Sequence, residues 1–318
     1  MNECKICKNA KNNELYYIKE RQLNEGNIFE YLYCCRCGTL QLNETVEDIS
    51  HFYSDDYYAF IEKKYDRKTI AGKIFDRCLV FLLVHMNLPV KMYERLQGSK
   101  YYQLRCIFGT KLKYSDSLLD VGCGSGNWLQ FLDTLGFKNL TGVDLYAPPY
   151  KQRSWNFIQG QLEDLEESQK YKLITLNHSF EHMQNPVTVL QKIYRLLDND
   201  GMCILRIPLM EQKAWHMYHE NWYQIDAPRH AYLYTKRALQ YLCHQANLRI
   251  IKIAFDSLEA QFRASEYYRR TNWSLDHIYQ KTRDMIPKYR QMAIEANQSG
   301  EGDQAIFYIV KRSKKRIC

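Results

Sequence analysis

The feature that most constrains this chain is one short run, Leu118-Leu119-Asp120-Val121-Gly122-Cys123-Gly124-Ser125-Gly126-Asn127. Four residues with a buried-strand texture lead into three alternating glycines, and a helical pattern follows. Glycine allows the left-handed backbone that such a junction needs, and it lets another molecule approach without a Cβ in the way. A strand entering a helix through a glycine turn is half of a βαβ unit, and the alternation continues downstream. Apolar runs at 118–121, 140–143, 155–158, 172–177, 202–207 and 249–255 read as strands. Helical spacing covers about 127–135, 186–197 and 235–246, and a long amphipathic stretch follows at about 259–296. After the turn NQSGEGD, the run AIFYIVKR reads as a last strand. The pattern predicts an α/β fold with a doubly wound, mostly parallel sheet.

A glycine loop alone is a weak signal. Here the second strand, Leu140-Thr141-Gly142-Val143, ends in Asp144, 18 residues past Gly126. An acid at that strand tip is what a pair of ribose hydroxyls needs. The run is not G-x-G-x-x-G, and no lysine follows it as a phosphate-cradling P-loop requires.

Five blocks in order carry a wider resemblance: LLDVGCGSGNWL, the GVD ending at Asp144, FIQGQLEDL at 157–165, LITLNHSFEHMQNP at 173–186 and LLDNDGMCILRIP at 196–208. Over about 116–255 the chain resembles class I S-adenosylmethionine (SAM)-dependent methyltransferases. The resemblance implies a Rossmann-like sheet of seven strands and SAM as cofactor. It places Gly122, Cys123, Gly124 and Gly126 beside the methionine part, Asp144 on the ribose, and Gln161 and Leu162 along the adenine. Asp120 matches the acid that orients the cofactor amino group, and Asn177 matches the residue after the fourth strand.

Upstream, Cys4-Lys-Ile-Cys7 and Cys34-Cys-Arg-Cys37-Gly38 are two C-x2-C knuckles 26 residues apart. Four thiolates so arranged are a tetrahedral site for structural Zn²⁺, closed to substrate. Cys35 offers an alternative ligand, but only Cys34 gives the x2 spacing. A ribbon of this kind, the aromatic stretch HFYSDDYYAF and this core together resemble bacterial methyltransferases of surface-polysaccharide and deoxysugar pathways, including zinc-ribbon enzymes that C-methylate nucleotide-linked keto-sugars. The resemblance implies an acceptor that is a nucleotide-linked sugar or a growing surface glycan.

Methyl transfer to oxygen, or to carbon beside a ketone, needs a base, and histidine titrates near neutral pH. His178, Glu181 and His182 follow the fourth strand, and Arg229-His230 follows the fifth, at the crevice of a doubly wound sheet. His230, His182 and His178 are therefore the candidate catalytic residues. The sugar C-methylating relatives carry a Glu-His pair where this chain has Arg229-His230, so Arg229 becomes a candidate anion contact instead.

Composition supplies the remaining bounds. The first residues, MNECKICKNA, carry no apolar signal region, and the longest apolar run, Cys78 to Val84, falls far below the about 18–20 residues of a spanning helix. Reduced cysteines in a cytoplasmic protein are the expectation. The net charge of +8 concentrates in residues 57–115, which carry 12 basic and 4 acidic groups and read as helical. This segment is read as a helical insert that packs on the core, contacts a phosphorylated carrier such as a nucleotide or polyprenyl diphosphate, or rests on an anionic membrane surface. The expected organisation is a zinc ribbon at 1–56, the insert at 57–115 and a SAM-dependent methyltransferase domain at 116–318. Two alternatives stand beside it: an RNA methyltransferase whose ribbon contacts nucleic acid, and a non-catalytic binding protein on the SAM fold. Against the first, the basic excess is moderate, no RNA-binding module is visible, and Asn177-His178-Ser179-Phe180 lacks the prolines typical of amino-group methylation.

Overall fold

The computed structural model describes residues 2–23, 25–53, 60–61, 70–85, 100–147, 153–271 and 282–312. The expectations for 54–59, for most of 57–99 and for 272–281 therefore fall largely outside the described residues. The principal sheet has seven strands: β4 (Leu118–Val121), β5 (Leu140–Asp144), β6 (Asn156–Gln159), β7 (Tyr171–Asn177), β8 (Leu197–Pro208), β10 (Leu248–Phe255) and β11 (Gln304–Lys311). They lie in the order β10-β11-β8-β7-β4-β5-β6. β4 is parallel to both β5 and β7, β5 is parallel to β6, and β10 pairs antiparallel with β11. The chain thus winds outward from β4 in both directions, and the last strand inserts beside β8. This is the Rossmann-like methyltransferase arrangement: a mostly parallel sheet with flanking helices. β8 begins at Leu197, earlier than the apolar run at 202–207 indicates.

A second, four-stranded sheet has the order β1-β2-β3-β9, from β1 (Glu14–Lys19), β2 (Ile28–Tyr33), β3 (Leu40–Leu42) and β9 (Tyr232–Leu233). Leu40 stands opposite Leu233 in it.

The chain forms two compact units. The first comprises residues 1–54, 178–191 and 205–318. Its core joins Ile18, Tyr31, Leu40 and Leu233 of the small sheet to Trp215 and Trp222, and to Phe262 and Tyr289. The last two come from the helices Ala260–Thr271 and Ile286–Ser299. The second unit comprises residues 55–177 and 192–204. β4 is buried on both faces, as expected of a central parallel strand. Helix α2 (Asn127–Leu135), which follows helix α1 (Ile70–His85) in the chain, buries Leu129, Phe131, Leu132 and Leu135. It is bounded by two left-handed glycines, Gly126 (φ 71°) and Gly136 (φ 108°). α1 buries Asp76, Val80, Leu83 and Val84, while Ile74, Phe75, Phe81 and Leu82 are exposed. Among the described residues no helix is long and apolar enough to cross a membrane.

Candidate functional site

The nine residues implied as cofactor contacts fall in the second unit, at the carboxyl ends of β4, β5, β6 and β7. Gly122, Gly124 and Gly126 all have positive φ, so the loop between β4 and α2 turns by glycine freedom. A Cβ on Gly126 would run into the side chains of Trp155 and Arg153. Asp144 is the last residue of β5 and fastens this loop: its Oδ2 accepts from the Gly124 amide at 2.8 Å. Its Oδ1 accepts from the amides of Tyr146 and Ala147 at 3.0 and 2.8 Å. Cys123 packs inward, since a Cβ built on Gly142 would meet its sulfur at 2.7 Å. Burial, then the charges of Asp120 and Asp144, hold its thiol well above the ordinary range.

Asp120 is 4% exposed and accepts from Thr175 Oγ1 at 2.6 Å. Burial pushes its carboxyl up to about 7, against the hydrogen bonds of Thr175 and Asn177, which lower it. Gln161 and Leu162 follow β6, where Gln161 donates its amide to Asp164 Oδ2 at 2.8 Å and Leu162 is buried.

The three candidate histidines gather in the first unit. His178, which follows Asn177 in the chain, takes a left-handed φ of 52° and donates its amide to the Arg206 carbonyl at 2.9 Å. Its Nδ1 lies 3.3 Å from Glu181 Oε1. His182 and His230 meet edge to face, with ring centroids 4.7 Å apart. His182 Nδ1 is 2.8 Å from the Arg229 carbonyl and 3.0 Å from the Tyr53 hydroxyl. His230 Nδ1 is 2.8 Å from the Gln224 carbonyl. Burial, then the charge of His182, pushes His230 down to about 4, so it is neutral at physiological pH. Burial, then Arg206, lowers His178 as well. Burial opposes charge on Glu181, yet His178 and His230 hold its carboxyl below the usual range.

The structure adds a residue that the sequence pattern did not single out. Asp226 Oδ2 stands 3.9 Å from His230 Nε2, and its carboxylate is held by both arms of the Arg229 fork and by Gln22 Nε2 at 2.7 Å. Arg229 is thereby committed to an internal acid, with Phe52 carbonyl and Glu20 also near. The i, i+4 spacing of Asp226 and His230 was the available signal, but it is weak outside a helix.

The four knuckle cysteines converge in the same unit. Cys4 and Cys37 sulfurs are 3.6 Å apart, Cys7 and Cys34 sulfurs 3.5 Å, and all four lie within 4.8 Å of one another. None forms a disulfide. The hydrogen bond from Cys4 draws Cys37 down to about 5, while burial pushes Cys7 up to about 11. Gly38, at φ 71°, returns its amide to the Cys34 carbonyl at 2.7 Å and closes the second knuckle. Cys35 is exposed and points to Asn9 and the Lys11 carbonyl. A four-sulfur donor set of this kind is suited to a tetrahedral metal.

A family model described as a methyltransferase domain matches residues 94–253, half of the 318-residue chain. The chain belongs to the methyltransferase domain family. Among the curated proteins it resembles is the malonyl-[acyl-carrier protein] O-methyltransferase of Calditerrivibrio nitroreducens, 26% identical over 112 residues, covering 35% of this chain and 43% of that protein. Another is the ubiquinone biosynthesis O-methyltransferase of Rickettsia typhi, 28% identical over 118 residues, covering 33% of this chain and 48% of that protein. The match spans less than half the length of these curated relatives. Similar solved structures include a Haloferax volcanii putative methyltransferase in complex with the Trm112 activator, 16% identical with a TM-score of 0.45, covering 71% of this chain and 95% of that one. A Burkholderia thailandensis 1,6-didemethyltoxoflavin-N1-methyltransferase with bound S-adenosylhomocysteine is 13% identical with a TM-score of 0.44, covering 88% and 97%. The fold itself is read from the strand order above.

Proposed function

We propose that this methyltransferase-family chain moves the methyl group of SAM to an oxygen or carbon of a small-molecule or glycan acceptor. The acceptor class proposed is a nucleotide-linked sugar or surface-polysaccharide precursor. The observation that carries the reading is the Gly122–Gly126 loop, turned by positive-φ glycines and fastened to Asp144 at the tip of the neighbouring parallel strand. SAM, when bound, supplies an electrophilic methyl on a sulfonium that leaves as a neutral thioether. Asp120 and Asn177 would hold its amino group, Asp144 its ribose, and Gln161 with Leu162 its adenine. An ammonium beside Asp120 would draw that carboxyl, now about 7, back to the charged form.

The cluster of His178, His182 and His230 would hold the acceptor and receive its proton. His230 is neutral and buried, with Asp226 and Glu181 placed to stabilise the imidazolium it would become. The rest of the acceleration is alignment of donor and acceptor. Cys4, Cys7, Cys34 and Cys37 would hold a structural Zn²⁺, which neutralises four thiolates that cannot all ionise at 3.5–3.6 Å without a cation. In this reading residues 1–56 are the ribbon, 57–115 the insert and 116–318 the methyl-transfer domain, all in the cytoplasm. The exposed Ile74, Phe75, Phe81 and Leu82 of α1 support a membrane-surface role for the insert; absence of vesicle binding at low salt removes that part.

The test is methyl transfer from labelled SAM to a panel of nucleotide sugars. Label on at least one sugar, lost on Asp144→Ala, is the expected result. Label on bulk RNA but on no sugar would replace the acceptor class.

A further inference from the structure

We infer that Glu181, His182 and His230 form a second metal site, a two-histidine, one-carboxylate set for a divalent first-row ion of the Zn²⁺, Co²⁺ or Fe²⁺ kind. Each residue offers one ligand atom, and the three atoms lie within 4.8 Å of one another. The tautomers follow from hydrogen bonding. His230 Nδ1 faces the Gln224 carbonyl and His182 Nδ1 faces the Arg229 carbonyl, both at 2.8 Å. A carbonyl can only accept, so each Nδ1 carries a proton, and Nε2 is the nitrogen of each ring left to ligate. An imidazole anchored by Nδ1–H to a backbone oxygen is the outer-shell arrangement that prepares a histidine to ligate a metal.

Glu181 is the second, independent observation. It is 0% exposed; its Oε1 lies 3.3 Å from His178 Nδ1, and its Oε2 has no hydrogen-bond partner among the described residues. His230 Nε2 is 3.9 Å from its Oε1, beyond hydrogen-bond reach, so a lone pair and an anion face each other across a gap. A desolvated carboxylate is costly unless donors or a cation lie beside it; His178 faces Oε1, and an ion shared with His182 and His230 would complete the compensation. Asp226, 3.9 Å from the same nitrogen, is already neutralised by Arg229 and belongs to the outer shell, as does the Tyr53 hydroxyl 3.0 Å from His182 Nδ1. Nitrogen and carboxylate donors suit these ions. With three protein ligands the ion keeps an open position, and oxygen donors such as a hydroxyl, keto or carboxylate group would occupy it. Occupancy of the site is independent of the methyl-transfer reading. Only the further role, as a Lewis acid for an acceptor hydroxyl, rests on it, and that role replaces the base role of His230, because an Nε2 bound to the ion has no lone pair left to receive a proton.

Cobalt titration of the metal-stripped full chain separates the two sites. The four-cysteine cluster would give intense thiolate-to-cobalt charge transfer, whereas the histidine–carboxylate site would give only weak ligand-field bands. The expected result is two equivalents bound, one of each signature. Glu181→Gln and His230→Asn should abolish the weak-band equivalent, or weaken it by more than the 10–100-fold typical of an outer-shell loss. The thiolate bands should stay unchanged in both variants, which also reports that the unit holding both sites remains folded. Wild-type protein binding cobalt without the weak-band equivalent overturns the inference whether or not a variant folds. So does retention of that equivalent at unchanged affinity in both variants. SAM binding, measured separately, is not expected to follow either result.

Discussion

Replacing Asp120 with asparagine should stabilise the protein and abolish cofactor binding together. The wild-type carboxyl is 4% exposed, and burial raises it from 3.8 to about 7. A carboxyl raised in the folded state favours the protonated form. Its contribution is therefore present below pH 3.8 and lost as pH rises through about 7. At 1.36 kcal/mol for each unit between the two values, the loss reaches about 4 kcal/mol at pH 8. Asparagine removes the charge, and its Oδ1 can still accept from Thr175 Oγ1. Urea unfolding of both proteins from pH 4 to 9 isolates the effect, because other titrating groups cancel in the difference. The variant should gain on wild type across that range, by up to about 4 kcal/mol at pH 8. Calorimetry should show SAM binding lost, since an amide cannot pair with the ammonium. A stability difference flat across the range, or unchanged SAM affinity in the variant, refutes the reasoning.

His230→Asn should lower turnover by about 10²–10⁴-fold, the span of general acid–base catalysis, with SAM affinity unchanged in calorimetry. Chelation of the purified protein should release zinc and lower the melting temperature; Cys34→Ser should lose the zinc, while Cys35→Ser, at the exposed neighbour, should keep it by elemental analysis. Gly126→Ala places a Cβ at φ 71° against Trp155 and Arg153, so it should cost about 1–3 kcal/mol in urea unfolding and weaken SAM binding.

The parts of this structure written in local pattern were legible in the sequence. β4, β5 and β7 are apolar runs buried on both faces, and α2 is bounded by the glycines that the pattern points to. Asp144 could be singled out because an acid at the tip of the strand beside a glycine loop is a recognisable pattern, and its capture of the Gly124 amide gives that position a structural reason. The cysteine knuckles were legible because two thiols across one turn must converge. What escaped depends on partners far away in the chain. Tyr232–Leu233 is too short to read as a strand, and it exists because Leu40 and Gln41 offer it an edge. Asp226 carries no periodic signal, and its place beside His230 follows from the Arg229 fork. Glu181 stood in the sequence between two histidines, but its complete burial beside His178 and His230 is a tertiary fact. Arg229 read as a candidate anion contact, and the anion it contacts is internal.

The central claim is that the loop from Gly122 to Gly126, with Asp120 and Asp144, is a SAM site. Isothermal calorimetry of the full chain with SAM and with S-adenosylhomocysteine tests it most directly. One site per chain, lost in Asp144→Ala while the far-ultraviolet dichroism is unchanged, is the predicted result. A folded wild-type chain that binds neither ligand would contradict the account and leave the fold as a scaffold for some other purpose.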